Sequence, residues 1–299
     1  MNTAALAKPT PRSSRREPAP SELFQRAGDA ANPLTYHAPR ITPKVSPLLL
    51  RAFSTYSRWY VARHFHSVRI SVVGKPPTLS GIPLIIYLNH ASWWDPLICL
   101  LLQNKFFQPR PAYAPIDAIA LEQYRFFAKL GFFGVEQNSA KGAVQFVRAA
   151  TAILQQSDSV LWLTPQGKFA DVRETPVQFK AGLGHLPARV ERAAFVPLAL
   201  EYVFWEERKP EVLCRFGEAE VIERSAGLRP GKNIDWTHHF EQQLAATKDK
   251  LAAESQRRSP ADFQVLLNSR SGVSFLYDAW RGLAAKLRRR EFRREHGRL

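Results

Sequence analysis

The sequence predicts an α/β fold: a largely parallel central sheet flanked by helices, with amphipathic helices near both ends. Three observations carry this. Short apolar runs alternate with stretches of helical periodicity through the middle of the chain. The run Leu84 to Leu88 is wholly apolar between Pro83 and Asn89, as expected of a strand buried on both faces. Hydrophobic residues make up 45% of the 299, enough for a sizeable core.

Residues 1–46 hold prolines at 9, 11, 18, 20, 33, 39 and 43 among arginines, alanines and serines, and predict an extended or disordered lead. After Pro47, apolar and aromatic residues (Leu48, Leu49, Leu50, Phe53, Tyr56, Trp59, Tyr60, Phe65) recur at roughly helical spacing with Arg51, Arg58 and Arg63 between them. This predicts an amphipathic helix over 47–66. It either lies on a bilayer interface or packs on the domain's own core.

The domain proper is expected over 67–235. Arg69 to Val73 reads as a strand and Leu84 to Leu88 as the next. Pro96 to Leu102 opens a helix, and Ile116 to Lys129 is a second helical stretch. Gly131 to Val135 is a short strand, Gly142 to Gln155 a helix, Val160 to Thr164 a strand and Gly182 to Glu191 a helix. Phe195 to Tyr202 and Val212 to Glu218 complete the strands. Residues 236–299 are expected as a helical extension. One helix covers 236–256, and Phe263 to Arg294 begins apolar and ends as a basic helix. There Leu276, Trp280, Leu283, Ala284 and Leu287 oppose Arg281, Lys286, Arg288 and Arg289. No window reaches the roughly eighteen apolar residues a spanning helix needs.

The formal net charge is +16, which favours polyanionic partners. Its placement is more informative. Residues 1–75 carry 12 basic and 3 acidic side chains, residues 281–299 carry 8 and 2, and the middle holds 22 and 21. A duplex-binding domain would spread cations over a folded face, so nucleic acid is not the expected partner. Basic ends beside amphipathic helices fit an anionic membrane surface, and a solvated arginine-rich tail is the plainer alternative. The two cysteines, Cys99 and Cys214, lie in apolar strings, which excludes a four-cysteine zinc site and points to a reduced, cytoplasmic compartment.

The sequence has no G-x-S-x-G, no P-loop, no H-E-x-x-H and no C-x-x-C. What remains is one polar cluster at a strand end, Asn89-His90-Ala91-Ser92-Trp93-Trp94-Asp95-Pro96. Sites in open α/β sheets gather where strands end and helices begin. His90 leaves the strand there, and Asp95 in the next helical turn can fold back to it. A carboxylate on one ring nitrogen fixes the tautomer and stabilises the imidazolium formed when the other takes a proton. Such a pair can activate a substrate hydroxyl with no protein nucleophile. The plain reading is also available: Ser92-x-x-Asp95 is a helix capping pattern, and His90 could be a core histidine. Trp93 and Trp94 wall the substrate path or pack helix to sheet. His185 reads as packed, His64 and His66 as surface, and His238-His239 lacks a metal-spaced partner, so no metal is expected.

Asn89-His90-Ala91-Ser92-Trp93-Trp94-Asp95 resembles the first block, N-H-x-S-x-x-D, of the glycerolipid and lysophospholipid acyltransferases. Four further stretches follow in that family's order: Gly131 to Gln137, Leu163-Thr164-Pro165-Gln166-Gly167, Phe179-Lys180-Ala181-Gly182, and Val196-Pro197-Leu198. The resemblance covers about residues 66–225. It implies transfer of a fatty acyl group from an acyl thioester, of CoA or of an acyl carrier protein, to a lipid hydroxyl at the inner face of the cell membrane, with no resident cofactor. His90 would be the general base and Asp95 its orienting partner. Gly167 is the candidate for the oxyanion region, or a turn glycine.

The departures concern the acceptor's phosphate. Gln137 stands where the family has arginine, Gln166 where it has glutamate, Lys168 where it has threonine and Phe169 where it has arginine. Glutamine and phenylalanine do not reproduce bidentate phosphate recognition. Lys168, Arg173 and Lys180 remain as point charges. The expectation is a lyso-phospholipid or related acceptor. The alternatives are a non-phosphate lipid alcohol, such as a glycolipid or glycosylated isoprenoid, or a non-catalytic binder of anionic surfaces or nucleic acid.

Overall fold

The structure is a computed structural model that describes residues 42–224 and 234–269. The lead before residue 42 and the basic tail from residue 270, on which the second amphipathic helix was expected, lie outside the described residues.

Helix α1 (Pro47–His64) opens with proline in its first turn, where a missing N–H costs nothing. Strand β1 (Ser67–Ser71) follows, then β2 (Leu84–Leu88) and helix α2 (Asp95–Phe106). Strand β3 (Ala112–Asp117) leads into a short helix α3 (Ala118–Gln123), a 3-10 segment (Arg125–Leu130) and β4 (Phe132–Val135). Helix α4 (Ala140–Leu154) is capped by the Ser139 hydroxyl, which accepts from the Gly142 N–H. Then come β5 (Val160–Leu163), β6 (Arg192–Val203), β7 (Glu211–Phe216) and β8 (Glu220–Glu223). Helix α5 (Trp236–Arg257) and β9 (Phe263–Asn268) end the described chain.

Among the described residues the strands form one nine-stranded sheet in the order β4-β3-β5-β2-β6-β7-β1-β9, with β8 also paired to β6. Pairings along the centre (β3 with β4 and β5, β2 with β5 and β6) are parallel, as is β1 with β7. Strands β6–β7, β6–β8 and β1–β9 pair antiparallel. The expected largely parallel sheet is therefore what forms. Strand β2 is buried at every residue because both faces are covered. Leu84, Ile86 and Leu88 meet Ile98 and Leu102 of α2 in one core cluster. On the alternate face, the Tyr87 and Phe195 rings lie 5.3 and 4.8 Å from Phe240 of α5.

Several features differ from the sequence expectation. Ile116 and Asp117 end strand β3 rather than open a helix; α3 begins after Asp117, whose carboxylate accepts from the Ile119 and Ala120 N–H groups. Prolines at 109, 111 and 115 hid that strand. Pro115 is tolerated because the Ala114 N–H serves the β4 side through Gly131, so the nitrogen of Pro115 faces the β5 side, where pairing has stopped at Tyr113. Gly182 to Glu191 makes only a 3-10 turn at Leu183–His185, since residues 186–191 carry no helix. The apolar stretch from Phe263 is a strand, because β1 offers it an open edge. His66 is buried, with its carbonyl accepting from Ser269.

Helix α1 packs on the domain's core through Ser57, Val61, Phe53 and Tyr60. Its outer side leaves Leu48 83% and Trp59 58% exposed. No helix among the described residues is long and apolar enough to cross a membrane.

Candidate active site

Strand β2 ends at Leu88, and Asn89 locks that end in place. Its side-chain amide donates to the Leu200 carbonyl and its carbonyl accepts from the Leu200 N–H, both at 2.9 Å. This continues the β2–β6 pairing by one side chain, so the chain exits the sheet at a fixed point.

His90 comes next. Its Nδ1 lies 2.7 Å from Asp95 Oδ2. The same carboxylate oxygen accepts from the Ser92 N–H at 3.1 Å. The two sequence readings of Asp95 therefore coexist: it reaches back to Ser92 as in a capping box and holds the imidazole as in a catalytic pair. Since an ionised carboxylate only accepts, Nδ1 carries the proton and Nε2 is the free base. Asp95 is 1% exposed while the His90 side chain keeps 19%, so the acid is sequestered and the ring still reaches solvent.

The second carboxylate oxygen is held by a residue the sequence did not single out. Tyr202, at the end of β6, donates its phenol to Asp95 Oδ1 at 2.6 Å. Burial, and then the adjacent Asp95 charge, push the Tyr202 phenol well above its ordinary value, so it remains a donor. Only its place near the end of a predicted strand could have suggested it. Burial likewise raises the thiols of Cys99 and Cys214, and Asp95 adds to both shifts.

The loop after β5 clamps the backbone of His90 from both sides. Gln166 Oε1 accepts the His90 N–H at 2.8 Å, and the His90 carbonyl accepts the Ala170 N–H at 2.9 Å. Gln166 is buried, and a neutral amide carbonyl suffices for this bond. Gly167 takes φ +63, and its N–H donates to Thr164, so it is the turn glycine rather than a free oxyanion donor. A Cβ there would strike the Lys180 side chain. Lys180 thus lies over the loop, and its ammonium bonds Asn138 Oδ1 at 3.2 Å, beside the exposed Gln137.

The other predicted cations are engaged elsewhere. Lys168 pairs with Glu174 at 3.5 Å, and Arg173 pairs with Asp171 at 2.7 Å on the exposed surface. Phe169 instead stands over the site: its ring centroid lies 4.3 Å from that of His90, and the residue is 59% exposed. Trp94 packs on Tyr60, His64 and Phe65, while Trp93 stacks on Trp94 with its outer side exposed. His185 is half-buried in its turn, and burial lowers its pKa. His239 is paired with Glu220. Among the described residues no group of three or more His, Cys, Asp or Glu side chains is placed to hold a metal ion.

A carboxylate-held imidazole at the end of a parallel strand can act as a tethered general base. The Acyltransferase family model matches residues 69–201, the span from β1 into β6 that holds His90, Asp95 and the clamp loop. That is the same segment on which the sequence blocks resemble the acyltransferases. Among solved structures, the chain is similar to the 1-acyl-sn-glycerophosphate (LPA) acyltransferase PlsC from Thermotoga maritima. The identity is 13% and the TM-score 0.44, over 69% of this chain and 81% of that chain. No curated protein matches in sequence.

Proposed function

We propose that the protein transfers a fatty acyl group from an acyl thioester to the hydroxyl of a lipid acceptor at a membrane surface. The observation that carries this reading is the His90 Nδ1 to Asp95 Oδ2 contact of 2.7 Å, with the acid buried and doubly anchored. The acceptor hydroxyl gives its proton to His90 Nε2 while its oxygen attacks the thioester carbonyl. Collapse of the tetrahedral intermediate breaks the C–S bond, and the imidazolium returns the proton to the departing thiolate. Asp95 stabilises the imidazolium between these two steps. The donor is acyl-CoA or an acyl carrier protein.

The surroundings of the base favour the second acceptor reading, a lipid alcohol without a phosphate beside the reacting hydroxyl. Phe169 lies against His90, where the family's arginine would stand, and both Lys168 and Arg173 are neutralised by acids. An exposed aromatic face suits a sugar ring or an alkyl chain better than a phosphate. The outward Leu48, Tyr56 and Trp59 of α1, interleaved with Arg51, Arg58 and Arg63, support attachment to an anionic bilayer.

A thiol-release assay with acyl-CoA against lyso-phospholipids, lysophosphatidate and neutral lipid alcohols tests both statements. Release only in the presence of an acceptor is expected, with neutral alcohols preferred. Release without any acceptor would make the protein a thioesterase, and a strong preference for lysophosphatidate would remove the acceptor reading.

A further inference from the structure

An apolar cleft lies between α1 and α2. It is about 500 Å³ in volume, within the range of small-molecule sites. Its lining contains none of His90, Asp95, Gln166, Phe169 or Tyr202. Leu50, Leu100, Leu101 and Leu266 form its apolar wall, each only partly buried by the rest of the protein.

Three cations edge it. Arg51 and Arg58 stand two helical turns apart on α1, and Lys105 lies in the last turn of α2. None of the three has a carboxylate within ion-pair distance among the described residues. Two of the three hydroxyls at the cleft are satisfied within α1. Ser54 and Thr55 return their hydroxyls to the carbonyls of Leu50 and Arg51. Ser57, which is 3% exposed, also lines the cleft, and its Oγ has no hydrogen-bond partner among the described residues. An oxygen-rich anionic group would satisfy the cations.

From this juxtaposition we infer that the α1–α2 cleft binds one single-chain anionic amphiphile, of the alkyl phosphate or fatty acid class, at a site separate from the catalytic pair. The alkyl chain lies along Leu50, Leu100, Leu101 and Leu266, and the head group meets Arg51, Arg58 and Lys105.

Calorimetric titration of the full chain with monomeric dodecyl phosphate tests this, with dodecyl maltoside and inorganic phosphate as the two half-ligands. A saturable event with dodecyl phosphate is expected, at least about tenfold tighter than with either control. The triple variant R51Q/R58Q/K105Q changes exposed side chains only and should weaken that event by a similar factor. Leu101→Trp should fill the cleft and remove it, with the circular dichroism spectrum unchanged. Equal binding of dodecyl maltoside, an event left intact by the triple variant, or binding seen only with anionic vesicles would overturn the inference. A tightening of the event in Phe169→Arg, with the cleft untouched, would assign it to the catalytic site and also overturn it. Acyl transfer is not the readout, so the result stands apart from the proposed activity.

Discussion

Tyr202 and Asp95 are 107 residues apart in sequence, and the phenol of one holds the carboxylate of the other at 2.6 Å. This bond completes the coordination of the acid: His90 and the Ser92 N–H occupy Oδ2 and Tyr202 occupies Oδ1. With both oxygens engaged, the carboxylate cannot rotate, and the imidazole it orients cannot either.

Tyr202→Phe keeps the ring that packs 5.7 Å from Phe65 and removes only the donor. A lost hydrogen bond to a buried charge is worth about 1.5–3 kcal/mol, so acyl transfer should fall by roughly ten- to a hundredfold. The fall should appear in kcat rather than KM, because Tyr202 acts through Asp95. An unchanged kcat would show that Asp95 is oriented without it.

His90→Ala should cost about 10²–10⁴ in rate, the usual worth of a general base, with thermal stability close to that of the parent. Asp95→Asn should lose activity and stability together, because the same carboxylate receives the Ser92 N–H and the Tyr202 phenol. Paired rate and melting measurements separate the two variants.

Phe169→Arg should raise the rate on lysophosphatidate relative to a neutral lipid alcohol, by restoring a guanidinium beside His90. The expected change in the ratio is on the order of tenfold, read from kcat/KM on both acceptors. No change would mean that acceptor choice is made elsewhere.

Gly167→Ala should destabilise the clamp loop by about 1–2 kcal/mol, since φ is +63 and the new methyl meets Lys180. Activity should drop with it, because the neighbouring Gln166 holds the His90 N–H. A denaturation midpoint equal to that of the parent would rule out the strain.

Stability should decline in alkali. Burial raises the thiols of Cys99 and Cys214 and the phenols of Tyr87 and Tyr202 above their ordinary values of 9.0 and 10.0. Each group holds its proton more tightly in the folded chain than in the unfolded one. This contribution is complete below the unfolded values and is lost as pH rises through them towards the folded values. The slope should reach up to about 1.4 kcal/mol per pH unit for each group. Urea midpoints from pH 7 to 11 measure it, and Cys214→Ala should flatten the portion starting near pH 9.

The sequence by itself determined what is local. The wholly apolar β2, the polar octapeptide at its end and the His90–Asp95 pair five residues apart were legible because strand burial and one helical turn write themselves into neighbouring residues. The order of the blocks pointed to the acyltransferases before any geometry was known. Tertiary structure decided the contacts between distant residues. Tyr202 reaches Asp95 because β6 lies beside β2 in fixed register, which no spacing rule contains. Gln166 becomes the anchor of the His90 N–H across 76 residues, and Phe169 comes over the imidazole, only once β5 pairs with β2. Strand β3 escaped notice because its prolines argue against a strand until the sheet supplies a side where the missing N–H is not needed. Strand β9 exists because β1 had an edge to cover, and an unpaired edge is a property of the assembled sheet, not of any segment in it.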